Sequence, residues 1–262
     1  MNRKLAIIGA GNMGGALYKR LARAMPKEHI ALCDTDAKKL ARLSATVSFT
    51  NAEDAARFGK CIILAVKPQA FHALAKDLFG SLEKKLVISI MAGISLASLS
   101  KTLGAKKIIR AMPNLAIQEG AGVIGWIASS FVTKEENALA RKLFSPLGHE
   151  IEVKKEEMID SITALSGSGP AYFFYLVNLL ETKARAMGFS ESSARIISEH
   201  TLIGSAKLLE SGKKSAEEWR EAVTSKGGTT SAALSHLKEH GFDMLFYEAI
   251  DTAKKRAKEL QK

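Results

Sequence analysis

The feature that most constrains this fold is a glycine-rich turn between an apolar run and a helical segment near the start of the chain. The run Leu5–Ile8 predicts a buried parallel strand, and residues 16–22 predict a helix. A strand, a G-x-G-x-x-G turn and a helix in this order are typical of a dinucleotide site, because the turn lets a pyrophosphate approach the helix N-terminus. The predicted cofactor-binding residues here are Gly9, Ala10, Gly11, Asn12, Met13 and Gly14.

An acidic residue after the next strand supports the same interpretation. The run His29–Cys33 predicts a strand that ends at Asp34, 20 positions beyond Gly14. A carboxylate at this point is placed to bind the hydroxyls of the adenosine ribose. A glycine-rich turn without a ligand is the alternative, and Asp34 argues against it.

Strand and helix patterns alternate up to about residue 155, which predicts an α/β fold with a Rossmann-like, doubly wound, mostly parallel sheet. Ligands bind beyond the carboxyl ends of the strands in such sheets. Small or polar residues follow four strands, at Gly9–Gly14, Val66–Gln69, Met91–Gly93 and Met112–Asn114. Further predicted cofactor-binding residues are therefore Ala65, Val66, Lys67, Pro68, Gln69, Ala92 and Gly93, together with Asn51, which also suits a helix N-cap.

From about residue 156 the pattern is helical throughout. We predict domains at residues 1–155, for dinucleotide binding, and at residues 156–262, an all-α domain for dimerisation and substrate binding. Ser166–Pro170 interrupts the helical pattern, and helices are predicted over 171–187, 193–209 and 242–260. These helices carry more apolar residues than about a hundred residues can bury, so we expect a homodimer or a dimer-based oligomer.

Composition narrows the classes of partner. The net charge is +11, but the basic residues are spread in doublets without interleaved aromatic residues, so we expect no nucleic-acid partner. No apolar run reaches the roughly 18 residues that span a bilayer, and the N-terminus lacks a signal-peptide pattern. We therefore expect a cytoplasmic protein without a membrane partner. Cys33 and Cys61 suit buried structural thiols, and His200, His236 and His240 lack metal-ligand spacing, so no metal is expected.

A segment with two adjacent glycines, at residues 223–231, lies before a predicted helix. The glycines are flanked by hydroxyl residues, which together suit a backbone nest for a small carboxylate. A simple turn with Thr229 or Thr230 as a helix cap explains the same pattern. Spacing alone leaves both interpretations open.

Together these motifs resemble those of pyrroline-5-carboxylate reductase over nearly the full length of the chain. The matching segments are Gly9–Gly14, Ala65–Gln69, Arg110–Asn114, Leu165–Tyr172 and Ser225–Thr230. The resemblance implies hydride transfer from NADH or NADPH to the imine carbon of 1-pyrroline-5-carboxylate, giving L-proline in the last step of proline synthesis. In that family the substrate lies where the nicotinamide meets the helical domain, close to the dimer interface.

The resemblance also implies residue roles. It assigns the substrate carboxylate to Ser225, Gly227, Gly228 and Thr229, and it places Asn114 in the same substrate site. Thr230 would hydrogen-bond the ring nitrogen and assist proton transfer, which makes it the catalytic residue. A cyclic imine needs positioning, carboxylate recognition and a proton on nitrogen, but neither a metal nor a covalent nucleophile.

Three departures from the family pattern are visible. Lys226 replaces a proline, and Leu115-Ala116 replaces a frequent Thr-Pro. The segment after the second strand is Asp34-Thr35-Asp36, whereas members that prefer the phosphorylated cofactor tend to carry a neutral or basic residue there. Because two carboxylates would repel a 2′-phosphate, we predict a preference for NADH over NADPH.

Three other functions share parts of this pattern. A β-hydroxyacid dehydrogenase would need a catalytic lysine four residues after Gly169, where this chain has Phe173. An imine reductase for a different cyclic imine passes this test and remains open. A non-catalytic dinucleotide-binding regulator also remains open because of Lys226 and Leu115-Ala116, although Thr230 and the adjacent glycines argue against it.

Overall fold

The computed structural model describes residues 4–260, which form two compact units. The first unit contains the chain up to Ser168 together with the segment from Ala253 onward, and the second unit contains Gly169–Thr252. Among the described residues, no helix is both long and apolar enough to cross a membrane.

One eight-stranded sheet forms the centre of the first unit, in the order β3-β2-β1-β4-β5-β6-β7-β8. The strands are β1 Leu5–Ile8, β2 Ile30–Cys33, β3 Val47–Phe49, β4 Cys61–Leu64, β5 Leu86–Ser89, β6 Ile108–Pro113, β7 Gly122–Ala128 and β8 Gly148–Glu152. All neighbours pair in parallel except β6 and β7, which are antiparallel. The predicted doubly wound, mostly parallel sheet is confirmed, and β8 lies at its edge.

Helices cover both faces of this sheet. They are α1 Asn12–Ala24, α2 Ala37–Leu43, α3 Ala52–Phe58, α4 Phe71–Leu78, α5 Leu96–Leu103, α6 Lys134–Phe144 and α7 Glu157–Ile162. Strands β1, β2, β4 and β5 are fully buried and contribute alternate side chains to two apolar cores, one on each face. A capping box of Thr133 and Glu136 starts α6.

Residues just after 155 are held to the sheet by buried charges. Arg110 on β6, only 2% exposed, donates to Glu156 Oε1 at 2.9 Å and to Asp160 Oδ1 at 3.2 Å. The predicted domain boundary after residue 155 therefore differs from the division seen in the packing, which falls after Ser168.

The predicted interruption of the helical pattern at Ser166–Pro170 takes the form of a π-helical turn followed by a bend at Ser168. Residues Thr163–Gly167 form a single π-helical turn that continues directly from α7, and the Ser168 N–H donates to the Thr163 carbonyl at 2.8 Å. The α-helical pattern is thus interrupted between Ile162 and Gly169. Turns of this kind are frequent at functional sites.

The second unit consists of helices. They are α8 Gly169–Ala186, α9 Glu191–Glu210, α10 Ala216–Ala222, α11 Thr229–Glu239 and α12 Phe242–Glu259, whose last residues belong to the first unit. The short α10, with a capping box of Ser215 and Glu218, was not predicted. Within α8 only Gly169 and Ala184 are buried, so most apolar side chains of this helix are exposed in a single chain.

Candidate active site

The glycine-rich turn between β1 and α1 is compact because two of its positions exclude a side chain. Gly9 has φ +109° and donates its N–H to the Cys33 carbonyl at 2.7 Å. A Cβ on Gly14 would lie 1.8 Å from the Gly9 carbonyl oxygen. Glycine at both positions is therefore required to bring the first turn of α1 against the end of β1.

Gly11 differs from its neighbours because open space surrounds it. It is the N-cap of α1, it is exposed, and no protein atom lies within 4 Å of the position that a Cβ would take. No side chain caps the start of α1, so the N–H groups of its first turn are available to a ligand. This open approach to helix N–H groups fits the pyrophosphate of a dinucleotide.

Asp34 lies at the end of β2 with its carboxylate directed to the same turn. It accepts hydrogen bonds from the Ala10 N–H at 2.8 Å and the Asp36 N–H at 3.0 Å, and it pairs with Lys39 at 3.2 Å. Burial of Asp34 opposes its ionisation, but the two N–H groups and Lys39 outweigh burial and hold the pKa of this carboxyl below its ordinary value. Asp34 is therefore ionised at neutral pH.

A cleft of about 680 Å³ extends from this turn over the carboxyl ends of β2 and β4. The predicted cofactor residues that line it are Gly9, Gly11, Asp34, Asn51, Ala65, Val66 and Lys67. Asn51 also caps α3, accepting from the N–H groups of Glu53 and Asp54. Pro68 and Gln69 form a short 3₁₀ turn beyond the end of β4 and do not line the cleft.

Four other predicted cofactor residues lie elsewhere on this edge of the sheet. Ala10 and Asn12 line a neighbouring cavity, while Met13 packs against the apolar core and Gly14 is buried.

The predicted cofactor segment Ala92–Gly93 does not line the cleft either. Gly93 is buried with φ +73°, and a Cβ there would lie 2.6 Å from the Leu260 carbonyl oxygen. Glycine is needed at this position because the end of α12 packs against it.

The two cysteines are buried, as predicted. Cys33 also borders the cleft. Burial, followed by the negative charges of Asp34 and Asp54, raises the pKa of the Cys33 thiol to about 11. Because the thiolate is the reactive form, Cys33 is inert at neutral pH.

Asn114, predicted to bind substrate, has both ends of its side-chain amide engaged. Its Oδ1 accepts from the Val123 N–H at 3.1 Å, and its Nδ2 donates to Ser166 Oγ at 3.1 Å. The residue is 9% exposed. Asn114 thus ties the start of β7 to the π-helical turn, and this role requires no ligand.

The predicted carboxylate loop lies in the second unit. Gly227 has φ +72°, and the Gly228 N–H donates to the Ser225 carbonyl at 3.0 Å, which closes a tight turn before α11. Gly228 is the N-cap and no side chain caps the helix, so the alternative of a threonine cap is wrong.

This loop leaves donors available. Within residues 4–260 no internal hydrogen bond engages the hydroxyls of Ser225, Thr229 or Thr230. The loop therefore presents three hydroxyl groups and the first N–H groups of α11 together, a set of donors suited to a carboxylate. Lys226 is exposed beside them.

Lys39 is a further residue of this site, and the sequence did not predict it. Its ammonium lies 3.2 Å from Asp34 Oδ1 and borders the same cleft. The helix N-cap could have indicated Lys39, because Asp36 caps α2 and places Lys39 in the first turn of that helix. From there a lysine side chain reaches back to the residue that ends β2.

Comparison with known proteins gives matches to both parts of the chain. Residues 156–260 match a family described as pyrroline-5-carboxylate reductase dimerisation, and residues 4–93 match one described as NADP oxidoreductase, coenzyme F420-dependent. A pyrroline-5-carboxylate reductase from Pseudomonas aeruginosa is 34% identical over 98% of this chain and 96% of its own length. The corresponding protein from Vibrio alginolyticus is 35% identical over 100% of this chain and 98% of its own length.

Solved structures agree with these sequence matches. A pyrroline-5-carboxylate reductase from Coxiella burnetii, 32% identical, superposes with a TM-score of 0.92 over 100% of both chains. A Plasmodium falciparum pyrroline carboxylate reductase with NADP bound, 26% identical, superposes with a TM-score of 0.89 over 100% of this chain and 99% of its own.

Proposed function

This chain belongs to the pyrroline-5-carboxylate reductase family, whose members reduce 1-pyrroline-5-carboxylate to L-proline with NADH or NADPH, and we propose that it prefers NADH. The observation that carries the preference is the ionised Asp34, fixed at the end of β2 by two backbone N–H groups. A carboxylate held there favours ribose hydroxyls over a 2′-phosphate. Lys39 offsets part of this repulsion, so a preference rather than an exclusion is expected.

The dinucleotide-binding residues are assigned from the cleft. The N–H groups at the start of α1 would hold the pyrophosphate beside Gly11, and Asp34 would accept from the ribose hydroxyls. Lys67 and the adjacent ends of β4 and α3 would border the adenosine portion. When bound, the nicotinamide supplies the hydride that the imine carbon receives.

The substrate carboxylate is assigned to the loop before α11. Ser225, Thr229 and the N–H groups after Gly228 would hold it, since this loop offers donors without internal partners among the described residues. Lys226, in place of the family's proline, adds a positive charge beside an anionic substrate. This arrangement would orient the ring of the substrate before reduction.

Thr230 is the proposed catalytic residue. As carbon accepts hydride, the ring nitrogen of the substrate gains electron density and needs a proton or a hydrogen bond. A threonine hydroxyl can donate that hydrogen bond and relay a proton from water. Thr230 follows the carboxylate loop directly, so a substrate held by its carboxylate would present its ring close to this hydroxyl.

The roles of the two parts of the chain follow from the same assignment. Residues 1–155 would bind the dinucleotide, and residues 156–262 would bind substrate and join two chains. The match of residues 156–260 to a dimerisation family supports the second role. Exposed apolar side chains on α8 and α9 support it independently.

Steady-state kinetics with 1-pyrroline-5-carboxylate tests the cofactor proposal. We expect kcat/KM for NADH to exceed that for NADPH by about tenfold, which corresponds to about 1.4 kcal/mol. Asp34→Ser should shrink this ratio by raising activity with NADPH. An equal or higher kcat/KM with NADPH for the unaltered chain would refute the role of Asp34.

The assignment of Thr230 has its own test. Thr230→Val should lower kcat at least about tenfold, and Thr230→Ser, which keeps the hydroxyl, should restore most of it. An unchanged kcat in Thr230→Val would show that Thr230 is not a catalytic residue. Absence of NADH oxidation with any cyclic imine would instead indicate a dinucleotide-binding protein without turnover.

A further inference from the structure

A second cavity, of about 560 Å³, lies beside the cofactor cleft and is called the basic cavity here. It lies between α1, α2 and the 3₁₀ turn Leu115–Glu119, and it shares only Gly11 and Lys39 with the cleft. Its basic side chains are Lys19, Arg20, Arg23, Lys39 and Arg42, and Glu119 is its one acidic side chain.

The two helices that form the cavity lack acidic residues. Between Asn12 and Ala24, and between Ala37 and Leu43, neither helix contains Asp or Glu. Lys19 and Arg23 are four residues apart on α1, a spacing at which like charges repel. This spacing places two positive charges on the same side of α1.

Three of these five cations lack a partner among the residues that the structure describes. Lys39 pairs with Asp34, and Arg20 donates to the Pro146 carbonyl from Nε at 3.2 Å and from Nη2 at 3.1 Å. In the part of the chain that the structure describes, Lys19, Arg23 and Arg42 form neither an ion pair nor a side-chain hydrogen bond.

Arginines elsewhere in the chain behave differently. Five exposed arginines pair with a carboxylate three or four residues away on their own helix, namely Arg57, Arg185, Arg195, Arg220 and Arg256. Among the arginines that the structure describes, Arg23 and Arg42 of the basic cavity therefore differ from these five in having no carboxylate partner.

We propose that the basic cavity binds a small anion with two or more phosphate groups, separately from the dinucleotide. Guanidinium groups match phosphate oxygens with paired hydrogen bonds, and several converging cations favour a ligand with several charges. No aromatic side chain lines the cavity, so a base has nothing on which to stack and the anionic groups carry the recognition.

Binding of inorganic tripolyphosphate to enzyme saturated with NADH tests the proposal. We expect calorimetry at about 0.15 M salt to show one anion per chain. The double variant Arg23→Gln/Arg42→Gln should weaken this binding at least about tenfold. The control Lys84→Gln/Lys101→Gln removes the same charge from exposed sites outside the cavity and should leave binding unchanged. Unchanged NADH turnover of both double variants without tripolyphosphate would show that they are folded.

Several outcomes would overturn the proposal. Absence of binding would do so directly, and equal weakening in both double variants would indicate unspecific attraction to a basic protein. Binding that NADH abolishes completely would place tripolyphosphate in the dinucleotide cleft. If tripolyphosphate does not bind, and Arg23→Gln/Arg42→Gln lowers kcat/KM for NADPH but not for NADH, the cavity would instead be assigned to the 2′-phosphate of NADPH.

Discussion

At the scale of single residues, Asp34 and Asn114 show what a position in sequence can and cannot predict. Both follow a strand, and both were predicted to face a ligand. Asp34 does border the cleft, because the turn from β2 to α2 is local. Asn114 is enclosed by Val123, nine residues on and brought to it by the antiparallel return of β7, and by Ser166, 52 residues on, in the π-helical turn. Local patterns carry no signal for such partners.

Asn114 should therefore contribute chiefly to stability. Asn114→Ala leaves the Val123 N–H and the Ser166 hydroxyl without their partner, so we expect a loss of about 2 kcal/mol in the free energy of unfolding. Urea unfolding at fixed protein concentration measures it. Gln69→Ala, which removes an exposed amide, is the matched control and should change stability by less than about 0.5 kcal/mol. If Asn114→Ala instead has unchanged stability and a raised KM for the imine, the role of Asn114 is substrate binding.

The lowered pKa of Asp34 predicts a pH dependence with a definite sign. A carboxyl whose pKa is lower in the folded state stabilises the fold above the unfolded pKa, near 3.9, and this stabilisation is lost as pH falls through the folded pKa. The stability difference between the unaltered chain and Asp34→Asn should be largest at neutral pH and should shrink below about pH 4. Denaturant unfolding across this range measures the difference. A difference that grows on acidification would contradict the assigned contacts.

At the scale of elements, the strand–turn–helix at the N-terminus was predictable because every requirement lies within consecutive residues. The spacing of Gly9 and Gly14 alone implies that the helix start approaches the strand end, as the structure shows. The π-helical turn at Thr163–Gly167 was not predictable, since Ser and Gly are typical of a break. Asn114, distant in sequence, donates a hydrogen bond to Ser166 within this turn.

Two alanine substitutions in the glycine-rich turn should separate its structural and ligand-binding roles. Gly14→Ala places a Cβ 1.8 Å from the Gly9 carbonyl oxygen and should cost about 3 kcal/mol or more of stability. Gly11→Ala meets no protein atom within 4 Å, so its stability without cofactor should stay within about 1 kcal/mol of the unaltered chain. Its Cβ would instead obstruct the pyrophosphate and weaken NADH binding at least about tenfold, as fluorescence titration would measure. Equal NADH affinity in Gly11→Ala would refute the assignment of this turn.

At the scale of the whole molecule, the second unit exposes apolar surface that a single chain does not cover. Phe173, Leu176 and Leu180 follow one face of α8 at steps of three and four residues and are between 40% and 55% exposed. An excess of apolar residues beyond residue 156 is visible in the sequence, and it predicts self-association. The sequence pattern does not show which helix faces form the interface, because it does not distinguish an apolar face packed within the chain from one that contacts a second chain.

Glutamates on this face should weaken self-association. We expect Leu176→Glu/Leu180→Glu to sediment as a single chain at a concentration where the unaltered protein sediments as a dimer, because two buried charges oppose the interface. Lys101→Glu, on an exposed part of α5, is the control and should leave the dimer intact. A single-chain mass for the unaltered protein at micromolar concentration would contradict the role proposed for these helices.

The contact between Gly93 and Leu260 has a consequence for biosynthesis. The first unit is discontinuous in sequence, because the chain leaves it after Ser168 and rejoins it at Ala253. A ribosome therefore makes all the residues of the second unit before it makes the segment that packs on Gly93. Although domains generally fold in order of synthesis, the first unit completes its packing only after the second has been translated.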